Sequence, residues 1–195
     1  MPRSDDLNRL PDNLPVPVDD GACDHLPGMA LPPVALQSTA GGSVRVDRLG
    51  PGAAVLYCYP RTGLPDQDPP GGLAAWDSIP GARGCTPQSC GYRDRNREIV
   101  AAGGKVFGLS TQTTDYQLEA ATRLHLPFAL LSDADLKFTR ALRLPTFEVA
   151  GFTLIQRLTL LTRDGRIESV FYPVFPPDAD AGRSLAWLRA AGGAE

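Results

Sequence analysis

Cys85 and Cys90 are the residues of this chain best suited to carry chemistry. A proline- and glycine-rich stretch precedes them, and a helical pattern follows, so Cys85 stands where a loop hands over to a helix. A helix N-terminus offers unpaired backbone N–H groups and the positive end of the helix dipole. Both favour the thiolate, the nucleophilic form, and such a site lowers the ordinary thiol pKa of about 8.5 by a unit or more. Arg83, and Arg93 a little further on, are near enough in sequence to add positive charge. Thr86 as N-cap and Pro87 as first helical residue predict a helix to about residue 102, ended by Gly103 and Gly104.

The spacing of the pair has a consequence of its own. On an intact helix a five-residue separation puts the Cα atoms roughly 8–9 Å apart, with side chains about 140° apart around the axis. A disulfide tolerates no more than about 7 Å between Cα atoms. If these cysteines ever bridge, the first turns of the helix must unwind. Two plainer readings of the pair stay open at this point. Both residues could be small buried apolar groups, or they could ligate zinc, although C-x4-C is not a usual ligand spacing and only His25 and His125 could assist.

The elements that must hold this site follow from the hydrophobic pattern. Residues 34–37 and 43–46 read as a short hairpin around Gly41 and Gly42. Residues 53–59 (AAVLYCY) form a continuous apolar run ended by Pro60, the signature of a central strand covered on both faces. Residues 61–84 hold four prolines and Trp76 and read as a long loop, a kind of segment that is commonly functional. After the cysteine helix come a strand at 105–110, a helix at 115–124 capped by Thr114, a strand at 128–131 and a short helix at 135–142. Residues 154–162 and 166–171 read as strands joined by the turn Arg163-Asp164-Gly165, and 179–191 as a closing amphipathic helix. This order implies an α/β fold, a mixed central sheet with helices on both faces, and the thioredoxin-like fold is one layout that has it. Residues 1–30, polar and Pro-rich, read as an extended arm, and 31–195 as a single domain.

Composition narrows the function classes. The chain has 195 residues, is 43% hydrophobic and 21% charged, and so has the make-up of a globular domain. The net charge of −3 and the lack of a Lys/Arg run argue against nucleic acid as a partner. The longest apolar run is far too short to span a bilayer, and the N-terminus has no signal-like apolar region, so the expected location is cytoplasmic. The four cysteines are too few for a disulfide scaffold in a chain of this length. Cys58, inside the central strand, is expected to be packing, and Cys23, in the arm, an idle or accessory thiol.

The segment Gly84-Cys85-Thr86-Pro87-Gln88-Ser89-Cys90-Gly91-Tyr92-Arg93-Asp94 resembles the active-site segment of the peroxiredoxins of the Q type, also called bacterioferritin comigratory proteins. They carry G-C-T-x-x-x-C-x-x-R-D after an apolar strand ending in Tyr-Pro, here Tyr59-Pro60. The likeness continues through 106–110 (VFGLS), 130–135 (LLSDAD) and 156–171 (QRLTLLTRDGRIESVF), and covers about residues 31–191. It implies a thioredoxin-like (peroxiredoxin) fold and a thiol peroxidase that needs no cofactor or metal. Cys85 would be the peroxidatic cysteine, Cys90 the resolving cysteine, and Arg157 the arginine that holds thiolate and peroxide. Pro60 would start the active-site loop and limit solvent access. The implied partners are hydrogen peroxide or an organic hydroperoxide, and thioredoxin or another small dithiol, acting on a monomer.

The sequence departs from this pattern in one place. The family's compact Pro-x-x-x-Thr-x-x-Cys loop has a threonine three residues before the cysteine; here that position is Ala82, and about eighteen extra residues separate Pro60 from Cys85. Thr62 is the first candidate to supply the missing hydroxyl, with Ser78 or a backbone N–H as alternatives. A second frame makes Cys90 the attacking cysteine but mis-spaces the threonine. Trp76 would anchor the insertion or wall the peroxide pocket. Two rival functions remain: a thiol–disulfide oxidoreductase, which would need C-x-x-C at the helix start, and a redox sensor without turnover.

Overall fold

The computed structural model describes residues 6–192; the ends of the expected arm and domain, 1–5 and 193–195, lie outside the described residues. A seven-stranded mixed sheet forms the centre, with β1 (Ala35–Ser38), β2 (Ser43–Arg45), β3 (Ala53–Cys58), β4 (Gly104–Ser110), β5 (Leu130–Ser132), β8 (Leu158–Arg163) and β9 (Arg166–Phe171) in the order β2-β1-β5-β4-β3-β8-β9. β3, β4 and β5 run parallel, and antiparallel pairs flank them on both sides. β3 is buried along its whole length because its side chains alternate between two cores. Val55, Tyr57 and Tyr59 face the core built with α2 (Cys85–Ala101) and α5 (Asp180–Gly192). Leu56 and Cys58 face the other core, with Phe138 and Leu142 of α4 (Lys137–Leu142) and with Cys23 and Leu26, which precede the sheet. α3 (Thr114–Arg123) packs beside β5.

Three elements differ from the sequence reading. The 61–84 loop contains a short helix, α1 (Leu73–Asp77), built around Trp76, whose indole N–H donates to Pro70 O at 2.7 Å. β6 (Thr146–Val149) and β7 (Phe152–Ile155) form a separate two-stranded sheet. Their turn, Ala150-Gly151, has positive φ at both residues, and alanine is not the residue that announces such a turn. The stretch 154–162, expected as one strand, therefore breaks at Gln156-Arg157, where the chain crosses from the small sheet to the large one. Arg157 is not on a strand face but in that crossing.

Candidate active site

Cys85 is the first residue of α2, two positions earlier than Thr86 and Pro87 led one to expect. The cause is Gly84. It takes φ +98°, and a Cβ there would collide with Pro177 Cγ and lie 3.1 Å from Leu10 Cδ2, so the turn and the close approach both require glycine. Thr86 is buried within the first turn and no side chain caps the helix. The first intrahelical bond runs from Gln88 N to Gly84 O at 3.1 Å, which leaves the N–H groups of Cys85 and Thr86 without intrahelical partners.

Arg157 reaches this helix start from the strand crossing. Its Nη2 lies 3.2 Å from Cys85 Sγ. The same nitrogen donates to Arg83 O at 2.9 Å and Ala82 O at 3.3 Å, and Nε donates to Gly81 O at 3.3 Å. Nη1 donates to Gln88 Oε1. The guanidinium is buried, yet its fork is matched to three consecutive carbonyls, one side-chain amide and the sulfur. Arg83 also lies close, but its side chain pairs with Asp77 at 3.3 Å. Arg93, expected as a second source of charge for Cys85, instead bonds Asp94 at 2.8 Å and Leu124 O at 3.1 Å and stands beside Cys90.

Behind Arg157 lies a polar cluster that sequence reasoning missed. Gln88 donates from Nε2 to Asp180 Oδ2 at 2.8 Å while its carbonyl takes the arginine. The same Asp180 oxygen accepts from Tyr92 OH at 2.9 Å and Thr159 Oγ1 at 2.7 Å. Burial pushes the Asp180 carboxyl above its ordinary pKa, and these hydrogen bonds and the Arg157 charge pull it back. Gln88 was recoverable from sequence, since it follows Cys85 by one helical turn. Asp180 was not, since an aspartate opening a helix is ordinary capping chemistry.

In front of Cys85 is a cavity of about 170 Å³, walled by the inserted loop, by Leu7 and Leu10, and by Tyr116. Thr62, Trp76, Ala82 and Arg61 line it. Thr62 thus shares the cavity with the sulfur, but its hydroxyl donates to Gln112 Oε1 at 3.2 Å, and its N–H does so at 3.0 Å. Ser78 is exposed and bonds Ala75 O in its own helix, so it supplies nothing to the site. Pro60 is buried just after β3 and is not among the residues that line the cavity. The Arg61 guanidinium lies over the rings of Tyr116 and Phe152, at 4.2 and 4.9 Å from their centroids.

The remaining thiols sort by environment. Cys90 is half-buried on the same unbroken helix and lines a different surface depression with Pro65, Arg93 and Arg123. Burial raises its pKa, and the charge of Arg93 opposes the rise. Cys58 is sealed in the core and raised well above the ordinary value; Cys23 is pushed up to about 12, by burial first and then by Asp19, Asp20 and Asp24. Among the described residues no group of His, Cys, Asp or Glu is placed to hold a metal ion, and no helix is long and apolar enough to cross a membrane.

A mixed central sheet with helices packed on it is a thioredoxin-like fold of the peroxiredoxin kind. The Redoxin family model matches residues 26–185, and the chain belongs to that family. It is 26% identical over 162 residues to the protein named Peroxiredoxin Q, chloroplastic, from Sedum lineare, covering 83% of this chain and 77% of that one. The Peroxiredoxin Q, chloroplastic, of Arabidopsis thaliana is 26% identical over 164 residues, covering 84% and 67%. The crystal structure of the peroxidoxin BcpB from Mycobacterium tuberculosis superposes with a TM-score of 0.69 at 25% identity, over 85% of this chain and 98% of that one. Peroxiredoxin Q of Xanthomonas campestris shares the fold, with a TM-score of 0.63 at 22% identity, over 92% and 97%.

Proposed function

We infer that this redoxin is a thiol peroxidase, and we propose Cys85 as its peroxidatic cysteine, Cys90 as its resolving cysteine and Arg157 as the group that stabilises the reacting charge. The observation that carries the reading is the 3.2 Å contact between Arg157 Nη2 and Cys85 Sγ at an open cavity.

The Cys85 thiolate attacks the terminal oxygen of the hydroperoxide, an S–O bond forms as the O–O bond breaks, and sulfenic acid results. The electron pair of the broken bond leaves on the second oxygen, which is released as water or alcohol once protonated. Arg157 and the free N–H groups of the first turn stabilise that oxygen as charge develops on it, where fixed donors are most effective. The cavity of about 170 Å³ admits more than two oxygens, since about 15 Å³ holds one water-sized sphere, so organic hydroperoxides fit as well as hydrogen peroxide. The N–H groups of Cys85 and Thr86, which make no intrahelical bond, take the part of the hydroxyl missing at Ala82.

α2 then unwinds at its start, Cys90 attacks the sulfenic sulfur, and a disulfide forms as hydroxide leaves and becomes water. A small dithiol such as thioredoxin returns the pair to thiols by exchange. Both cysteines and Arg157 lie on one chain, so a monomer suffices for the steps up to the disulfide.

Single-turnover peroxide reduction with mass spectrometry tests the assignment. Cys85→Ser is expected to be inert. Cys90→Ser is expected to consume one equivalent of peroxide and accumulate sulfenic acid. Peroxide consumption by Cys85→Ser at the wild-type rate overturns it.

A further inference from the structure

Arg157 carries a full charge into a buried site, and among the described residues no acidic oxygen touches it. Its acceptors are backbone carbonyls, an amide and a sulfur. A buried acid, Asp180, stands behind Gln88, whose amide has two different ends and is gripped at both. Its carbonyl accepts from Arg157 and its NH2 donates to Asp180. A carboxylate at 180 can only accept, so it dictates which end of Gln88 faces the arginine. Were the amide to flip, its NH2 would point at the guanidinium and push it off the sulfur. Three donors from three side chains converge on one oxygen of Asp180 and offset part of the cost of burying a charge there.

The same carboxylate also holds α2 down. Gln88 and Tyr92 flank Cys90, and both end on Asp180, which Thr159 ties to β8. Tyr92 OH is also hydrogen-bonded to Ser184 of α5 at 2.8 Å, and Gly91 packs so closely on Asp178 O that a Cβ would lie 3.2 Å from it. This is the stretch that must come loose before Cys90 can reach Cys85.

We propose that Asp180 is a positioning residue with two opposed effects. Through Gln88 it holds Arg157 on Cys85 for the attack on peroxide, and through Gln88 and Tyr92 it restrains the unwinding that lets Cys90 close the disulfide. The proposal rests on the thiol peroxidase reading of the site. It sets how long the sulfenic acid persists, and hence how readily excess peroxide drives it to sulfinic acid.

Rapid-mixing experiments separate the two steps by substituting Asp180→Asn, which keeps the shape and removes the charge. Sulfenic acid formation is expected to slow about tenfold, which corresponds to about 1.4 kcal/mol. Disulfide closure is expected to accelerate by several-fold, and the fraction of Cys85 driven to sulfinic acid by excess peroxide is expected to fall. The double variant Asp180→Asn with Gln88→Glu moves the negative charge onto the arginine's own neighbour, where the amide introduced at position 180 can donate to it. It should recover the sulfenic step to within about threefold of wild type. A merely structural role predicts no such recovery. If Asp180→Asn is too unstable to assay, Tyr92→Phe removes the tyrosine's bonds to Asp180 and Ser184, leaves the Gln88 link intact, and should accelerate closure without slowing the attack. Unchanged rates in both variants, or two steps slowed together with no recovery in the double variant, overturn the proposal. If wild type forms no Cys85–Cys90 disulfide with peroxide, it is the reading of Cys90 as resolving cysteine that fails, and if wild type consumes no peroxide, it is the peroxidase reading.

Discussion

Replacing Arg157 by lysine tests the catalytic geometry most directly, because it keeps the charge and removes the fork. The guanidinium serves Gly81 O, Ala82 O, Arg83 O, Gln88 Oε1 and Cys85 Sγ with donors fixed in one plane. An ammonium has three donors on one atom and cannot meet acceptors spread along a loop and a helix turn together. The carbonyls are the stronger claim on it, since leaving buried acceptors unmet costs about 1–3 kcal/mol each. The sulfur and the departing oxygen are then the acceptors that go without. One charge-assisted hydrogen bond of about 2 kcal/mol, lost from the transition state, corresponds to a rate lower by about 30-fold. Arg157→Met, which removes the charge as well, is expected to lose about 100- to 1,000-fold, the range for deleting a donor to a developing oxyanion. Trp76 lines the same cavity as Cys85, so stopped-flow tryptophan fluorescence with stoichiometric peroxide reads the first step. The melting temperature of the lysine variant should fall by a few degrees, and the assay is run well below it. A folded Arg157→Lys enzyme that reacts within threefold of wild type refutes the reasoning, because the charge alone would then suffice.

Other expected outcomes follow from packing and titration. Gly108→Ala places a Cβ 2.5 Å from Leu130 Cδ2 and 2.7 Å from the Tyr57 hydroxyl, which bonds Ser89 of α2, so thermal melts should show a loss of about 1–3 kcal/mol. Cys90 has a raised pKa and is mostly thiol at neutral pH, so closure of the disulfide after a peroxide pulse should speed up as pH rises through and beyond the ordinary thiol range. A pH-independent closure rate would contradict this. Cys23 and Cys58 stay protonated in the folded state at pH values where the unfolded chain loses those protons. Above about pH 8.5 the native state binds more protons, so stability in urea should decline with rising pH and change little from this source below it. In native protein a thiol reagent should find Cys58 unreactive until the chain unfolds.

Some of this protein was legible in sequence because it is local. The apolar run at 53–59 reads as a central strand, and the proline- and glycine-rich stretch before Cys85 reads as a loop handing over to a helix. That any bridge between Cys85 and Cys90 requires the helix between them to unwind follows from their spacing along one element. The β6–β7 hairpin was hidden because Ala150 takes a positive φ without being a residue that advertises it. The helix start moved because Gly84 is fixed by Pro177, a residue more than ninety positions away.

What only the tertiary structure decided was the company Cys85 keeps. Arg157 reaches the sulfur because two sheets meet at its position, and Asp180 reaches Arg157 because α5 packs on α2 across Gln88. No periodicity records such contacts. A buried charge is tolerable only where groups distant in sequence converge to satisfy it, and that convergence comes into being when the chain has folded.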